Sequence, residues 1–257
     1  MWRGRGALNP IRTRRVTSTI EHLFSPELRA TLIGLRHEIH RDPELAFQEE
    51  RTARRLEDAL RVVRPKQLDR VAGTGLVARI AGREASAPVV AIRGDIDALP
   101  IHESTGLEFS SQNTGVMHAC GHDVHATWAV GAARLLGERP ATGDVLIVLQ
   151  PAEEIGKGAR AVMESGALDD VSAIFGAHVD RRFPVGAVVA EAGPLAASAD
   201  DFHIELVGSG AHAARPHEAA DPIVGAGALI VGAGMVFVIF SMSFFTGANV
   251  GLQGYAG

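Results

Sequence analysis

The chain holds one cysteine, Cys120, in 257 residues, so it can form no internal disulfide and gives no sign of an oxidising compartment. Acidic residues are missing from positions 1–20, where Arg3, Arg5, Arg12, Arg14 and Arg15 sit; with a total charge of −5, the other 237 residues carry about −10. An apolar core of ~7–15 residues behind those arginines is missing as well, which argues against a secretory signal and for a cytoplasmic protein. The basic stretch 1–20 reads as a disordered start, with an organellar transit peptide or a misassigned start codon as alternatives. Charge is absent again from Pro222 to Gly257, and Ile223 to Phe245 approaches the ~20 apolar residues that span a bilayer. Four glycines in its first half, the lack of a basic flank, and the Asp221-Pro222 opening favour a buried globular helix over a membrane span. Met235 to Phe245 is apolar, β-prone and without a charged gatekeeper, hence aggregation-prone. The mildly acidic balance argues against nucleic acid as a partner. With 46% hydrophobic and 21% charged residues, disorder, collagen and a disulfide-stapled miniprotein are excluded. At roughly 150 residues per domain, the length allows one large domain or two modest ones.

What is present is an alternation of helical and strand patterns. Pro26 to Val63 has apolar residues at helical spacing (Leu32, Leu35, Ile39, then Leu56, Leu60), and Pro43 divides it into two helices. Gly75–Ile80, Val89–Ile92, Asp144–Leu149 and Val171–Phe175 read as strands, the last three as buried ones. Helices are expected over Val124–Leu136 and Gly158–Gly166. This order predicts an α/β fold, a mixed central sheet with helices on both faces. Asp201–Val207 alternates like a half-exposed strand with His203 on its outer face, which suggests a second, α+β unit beginning near Gly193. Trp128 and Phe175 are expected in the core.

Chemistry gathers where strands end. The Val89 strand runs into Asp95-Ile96-Asp97, the Asp144 strand into Pro151-Ala152-Glu153-Glu154, and the Val171 strand into Gly176-Ala177-His178. In parallel α/β sheets, sites form at carboxyl strand ends, so these loops should converge on one crevice. His118-Ala119-Cys120-Gly121-His122-Asp123 lies immediately before a helix at the same edge. Thiolate, imidazole and carboxylate together suit zinc or a related first-row metal, and carboxylates could bridge two ions. In the adjacent pair Glu153-Glu154 one carboxylate can ligate while the other serves as a base toward an activated water; the bland alternative is a solvated helix start. A rival chemistry makes Cys120 a nucleophile with His122, His125 or His178 as base, although the acids are surplus to it. His37-Glu38-Ile39-His40 has its histidines three apart, not the four of a zinc-protease helix, and reads as a helix face. Gly208-Ser209-Gly210 and Gly225-Ala226-Gly227 read as turn or close-packing glycines.

The blocks GDIDALPI, GVMHACGHDVHATWAVGAARLL, LQPAEE, FGAHVD, PVG and GSGAHAARPHEAADPI occur in this order. Together they resemble the metal-dependent amidohydrolases that include hippurate hydrolase, N-acyl-amino-acid amidohydrolase and the auxin-conjugate hydrolases, over about Leu32 to Gly232. The resemblance implies a dinuclear zinc-exopeptidase-like catalytic domain, expected over 21–193. It also implies an incomplete ferredoxin-like lid over 194–257, through which a homodimer could form. It implies two divalent ions, with zinc, manganese, cobalt and nickel all tolerated. Cys120, His122, Glu154 and His178 match the metal ligands, and Glu153 the general base. Asp97 matches the acid that orients a ligand, and His212 the histidine that reaches a substrate carboxylate or the oxyanion. The implied reaction hydrolyses N-acyl amino acids, and His37 and His40 become structural.

Two positions depart from the resemblance: Gly94 stands where alanine is common, and Ala211 where a glycine often precedes the histidine. Such proteins are usually much longer and supply one more histidine ligand, so a truncated chain with exposed sheet edges, poor solubility, a weak second ion and low turnover is expected. The alternative function is an inactive fragment acting only in association or membrane anchoring.

Overall fold

The computed structural model describes residues 14–15, 21–190 and 204–240. The chain divides into two compact units, 1–189 and 190–257. In the first, helix α1 (Pro26–Arg41) starts where Ser25 accepts a hydrogen bond from the Leu28 N–H at 3.1 Å and Pro26 occupies the first turn. It ends at Asp42 because Pro43 follows, and a residue before proline avoids the helical region. Helix α2 (Glu50–Arg61) is started by Glu44, whose Oε2 accepts from the Arg51 and Thr52 N–H groups, both at 2.8 Å. Its buried stripe Thr52, Ala53, Leu56 and Leu60 faces the core at helical spacing.

The sheet comprises β2 (Gln67–Val71), β3 (Gly75–Ile80), β4 (Val89–Asp95), β5 (Val145–Gln150) and β6 (Val171–Gly176) in the order β2-β3-β5-β4-β6. The pairs β2/β3 and β3/β5 are antiparallel, whereas β5/β4 and β4/β6 are parallel, so the sheet is mixed. Alternation sorts its side chains. Leu76, Ala78, Ile80, Val145, Ile147 and Leu149 pack with α1, α2 and helix α3 (His122–Glu138), while Val77, Ala91, Leu146 and Val148 pack with Val162 of the short α4 (Gly158–Glu164). Helices therefore cover both faces. β5 is central, and all six of its residues are buried.

Several expectations require correction. β2 was not foreseen; its residues QLDRV alternate too weakly to register as a strand, and pairing with β3 organises them. β6 forms where expected but is not buried: Ile174 and Phe175 are 53% and 61% exposed, because β6 is an edge strand and pairs only with β4 among the described residues. Phe175 is therefore not a core residue, and Trp128 is only partly buried. Of the stretch 1–20, Arg14–Arg15 form a short strand, β1, antiparallel to β7 (Ala187–Val188); the rest lies outside the described residues.

In the second unit, helix α5 (Pro222–Phe240) starts where Asp221 Oδ1 accepts from the Ile223 N–H at 2.8 Å. The helix is as expected but not buried, since Ile223, Val224, Ile230 and Val231 are all more than 60% exposed. Residues 204–207 form no strand, because their backbone pairs with no neighbour among the described residues; the ladder here is the single Ser209–Ala220 bridge. Gly208 does pack closely, for a Cβ there would sit 2.4 Å from the Ala220 carbonyl. These elements do not establish a ferredoxin-like lid, and Gly193, His203 and residues 241–245 lie outside the described residues. No helix among the described residues is long and apolar enough to cross a membrane.

The α1–α2 corner is held by charge. Arg51 grips Asp42 at 2.8 and 2.7 Å, and Arg55 adds a third contact at 2.7 Å. The Arg51 guanidinium, opposed by partial burial and helped by Arg55, holds the Asp42 carboxyl at about 2. A depressed carboxyl stabilises the fold above its unfolded value, and that contribution is lost as pH falls through the folded one. Asp42→Asn should therefore lower the urea midpoint near neutral pH, and the gap between the two proteins should close as pH falls from about 4 toward about 2.

Candidate metal centre

The carboxyl ends of β4, β5 and β6 and the start of α3 meet at one edge of the sheet. α3 comes unusually near β4: a Cβ at Gly94 would stand 2.6 Å from the His125 carbonyl oxygen, so alanine does not fit here without a shift. The turn into α3 passes through Gly121 in the left-handed region (φ 87°), where a Cβ would lie 2.4 Å from Cγ2 of Val179. These two glycines let His122 enter the helix with its ring fully buried.

Three histidines have their tautomers set by backbone groups, whose donor or acceptor role is fixed. His122 Nδ1–H donates to the Asp97 carbonyl at 2.8 Å, with Asp97 Oδ1 at 3.2 Å, which turns Nε2 toward Glu153 and Glu154. His178 Nδ1–H donates to the Val179 carbonyl at 2.7 Å, and its Nε2 faces Cys120 Sγ at 3.2 Å. His125 Nε2 accepts the Val179 N–H at 3.0 Å, so its proton is on Nδ1, which donates to Asp95 Oδ1 at 2.6 Å.

The loop after β5 is shaped from a distance. Glu49, fully buried, accepts the Ala152 N–H at 2.9 Å and the Thr74 hydroxyl, while Ala152 adopts φ 49°. A Cβ at Gly158 would overlap the Pro151 carbonyl, so the loop folds tightly on itself before α4. Glu153 and Glu154 thus sit in a pinned loop, not at a solvated helix start. The Glu154 N–H donates to Asp97 Oδ2 at 3.0 Å. From His122 Nε2, Glu154 Oε1 lies at 3.7 Å, Glu153 Oε2 at 3.8 Å and Asp95 Oδ2 at 3.7 Å.

Three groups here have donor atoms close enough to share an ion: Cys120–His122–His178, His122–Glu153–Glu154, and Asp95–His122–His125. The third is already spent, since both nitrogens of His125 are engaged. The other two remain open. His122 Nε2 and Glu154 Oε1 are buried with no hydrogen-bond partner, a costly arrangement for a protein by itself and the one expected of atoms that await a cation.

Electrostatics agree. Burial would lower His122, but its hydrogen bond to Asp97, Cys120 and the charge of Asp95 raise it to about 11. Burial raises the Glu154 carboxyl, with Glu153 adding to the rise and His122 opposing it. Burial would raise Asp95 too, but His125, His122 and Arg93 hold it at about 2. His118 is pushed down to about 4 by burial, and neither of its ring nitrogens has a hydrogen-bond partner.

Of the expected site residues, Asp97, Cys120, His122, Glu153, Glu154 and His178 come together here. His212 is in the second unit, exposed, with Nδ1 accepting the Ala214 N–H at 3.2 Å. His40 is occupied by Asp123 (3.0 Å) and Glu103 (3.2 Å), and His37 stacks on Phe109 at 3.8 Å, so both serve the fold. Glu49 was not singled out as a site residue, and His125 was weighed only as a base in the thiol reading, without its partner Asp95; the available signal was its place three residues after His122, on the same helix face.

Such an assembly, donor atoms converging from three parallel strand ends and a helix start, defines a candidate metal centre of an α/β protein. Residues 91–243, more than half of the chain, match peptidase family M20/M25/M40, and the protein belongs to that family. It is 47% identical over 208 residues to the N-acetylcysteine deacetylase of Bacillus subtilis, covering 78% of this chain and 53% of that protein. It is 40% identical over 217 residues to the IAA-amino acid hydrolase ILR1-like 2 of Arabidopsis thaliana, covering 84% and 49%. The crystal structure of Bacillus subtilis YxeP, described as a dinuclear metal-binding peptidase of family M20, aligns with a TM-score of 0.60 at 46% identity, covering 63% of this chain and 46% of that one. The chain spans about half the length of these relatives.

Gly121 offers a direct test of the geometry. Gly121→Ala must hold a side chain in the left-handed region, at a cost of ~1–2 kcal/mol, and also displace Val179. Chemical denaturation should show a loss of at least about that size, larger than for Gly106→Ala, where φ is also positive (70°) but nothing lies within 4 Å of the added Cβ.

Proposed function

We propose that this protein is a metal-dependent amidohydrolase that cleaves the amide bond of small N-acyl amino acids, such as N-acetyl or auxin conjugates. The observation that carries the reading is the pair His122 Nε2 and Glu154 Oε1, buried, without a hydrogen-bond partner and 3.7 Å apart, within reach of Cys120, His178 and Glu153. The names of the relatives support the substrate class.

Cys120, His122, Glu154 and His178 would hold the ions, two divalent cations drawn from zinc, manganese, cobalt and nickel. Bound there, they supply Lewis-acid polarisation of the amide carbonyl and acidify a water molecule. Asp97 keeps His122 in the tautomer that presents Nε2 and pins Glu154 through its backbone. Glu153, at 41% exposed the more accessible of the two glutamates, takes the proton from the attacking water at its carboxylate and delivers it to the leaving nitrogen. The water oxygen bonds to the carbonyl carbon, the C–N bond breaks, and a carboxylate and a free amino acid result. In the same reading His212 engages the substrate carboxylate or the oxyanion, residues 194–257 belong to a lid that supports a homodimer, and the protein works in the cytoplasm.

A thiol mechanism can draw on Cys120 Sγ at 3.2 Å from His178 Nε2, but it gives no use to the unpartnered His122 and Glu154 atoms. An inactive chain serving only in association or anchoring finds no support in an assembled set of donor atoms.

The test measures metal content and hydrolysis of N-acetyl-L-cysteine and an indole-3-acetyl amino acid by the whole chain and by Glu153→Ala, before and after chelation. Chelation should abolish hydrolysis and added divalent ions restore it, while Glu153→Ala should lower kcat by ~10²–10⁴ with metal content unchanged. Activity that survives chelation would refute the metal reading, and a metal-loaded chain inert toward all N-acyl amino acids would refute the hydrolase.

A further inference from the structure

The segment that carries His178 leaves the protected interior of the sheet. β6 is an exposed edge strand, and Ala177, His178 and Val179 that follow it are themselves exposed. Burial therefore does not hold His178 in place. Among the described residues, this segment is tied to the buried core by the hydrogen bond from the Val179 N–H to His125 Nε2, at 3.0 Å, and by the edge-on contact of the His178 ring with that of His125, their centroids 4.5 Å apart. His125 and Asp95 are each 1% exposed, and Asp95 is braced in turn by Arg93 at 2.6 Å.

We propose that His125, oriented by Asp95, is a positioning residue: it holds residue Val179 by its N–H, and through that residue it sets both the place and the tautomer of His178. The proposal rests on the reading of His178 as an ion-binding residue. The chain of bonds has one polarity throughout. Asp95 Oδ1 accepts from His125 Nδ1–H (2.6 Å), His125 Nε2 accepts from the Val179 N–H (3.0 Å), and the carbonyl of the same residue accepts from His178 Nδ1–H (2.7 Å). His178 Nε2 is thereby left as a lone pair facing Cys120 Sγ. Reversing the proton on His125 would set N–H against N–H at Val179, and the negative charge of Asp95 opposes that reversal. The seat of the Val179 side chain over Gly121 supplies the apolar half of the same latch. His125 is thus the link between α3, which begins with His122, and the separate strand end that supplies His178.

The experiment is a double-mutant cycle on zinc affinity, measured in the full chain by competition with a chromophoric chelator. His125→Phe keeps the ring volume and removes both nitrogens; it should weaken zinc binding ~10–100-fold, the usual cost of losing a group that orients a ligand. His178→Ala should weaken it comparably, and the double variant should lose little more than either single one. His125→Gln, whose amide can both donate to Asp95 and accept from Val179, should recover most of the affinity. Losses that add in the double variant, or no recovery with glutamine, would overturn the proposal and make His125 a purely structural residue. A loss in His178→Ala with none in His125→Phe would overturn it while leaving His178 as a ligand, whereas unchanged affinity in His178→Ala would overturn the reading on which it rests. Nitrogen-15 spectra of the zinc-loaded wild-type chain need no variant to fold: the proton of His125 is expected on Nδ1, and finding it on Nε2 would overturn the proposal equally.

Discussion

Buried carboxylates are the constraint around which this edge of the protein is built. Asp95, Asp97 and Asp123 are each 1% exposed, and an ionised group withdrawn from water so completely is tolerated only when paired. Each is assigned a different histidine: Asp95 takes His125, Asp97 takes His122, and Asp123 takes His40. Arg93 and Arg36 complete the first and third pairs. This pairing sorts the histidines into those that keep a nitrogen free and those that do not. His40 and His125 are bonded at both ring nitrogens and serve the scaffold, whereas His122 gives up one nitrogen to Asp97 and keeps the other unpartnered. A residue type that titrates near neutrality and accepts either role is divided between structure and chemistry by which carboxylate it faces.

The strands that carry the centre were legible because β4, β5 and β6 are short apolar runs, and because their polar continuations stand immediately after them in the chain. Cys120 with His122, and Glu153 with Glu154, could be read for the same reason: the residues that cooperate are neighbours. Legibility failed where the deciding partner is remote or is backbone. Ile174 and Phe175 have the apolarity of a core strand, yet composition carries no record of whether another strand lies beyond them, and they are exposed. Asp95 and His125 stand thirty residues apart, and the atom that gives His125 its purpose is the Val179 N–H, which no side-chain pattern announces. Glu49 is more distant still, 103 residues from the peptide of Ala152 that it holds.

Gly94 shows how local and tertiary demands meet. A residue with no side chain is a weak choice for a strand interior. It is required here because the α3 backbone passes at a distance no Cβ allows, and that close passage brings His125 within reach of Asp95 and the His122 ring over the end of β4. A glycine that weakens the strand thus sets the depth at which the imidazoles lie.

Asp97 joins two loops with one side chain and one carbonyl: its backbone oxygen holds His122, and its carboxylate holds the Glu154 peptide. Mechanically this is a strut between the helix start and the loop after β5, and it lies wholly inside the protein. Cys120 and His178 are the more accessible donors, the first half-buried and the second exposed. The donor set therefore has one buried side and one open side. A cation held there would thus be screened from water on the side of the Asp97 strut and meet solvent on the side of Cys120 and His178.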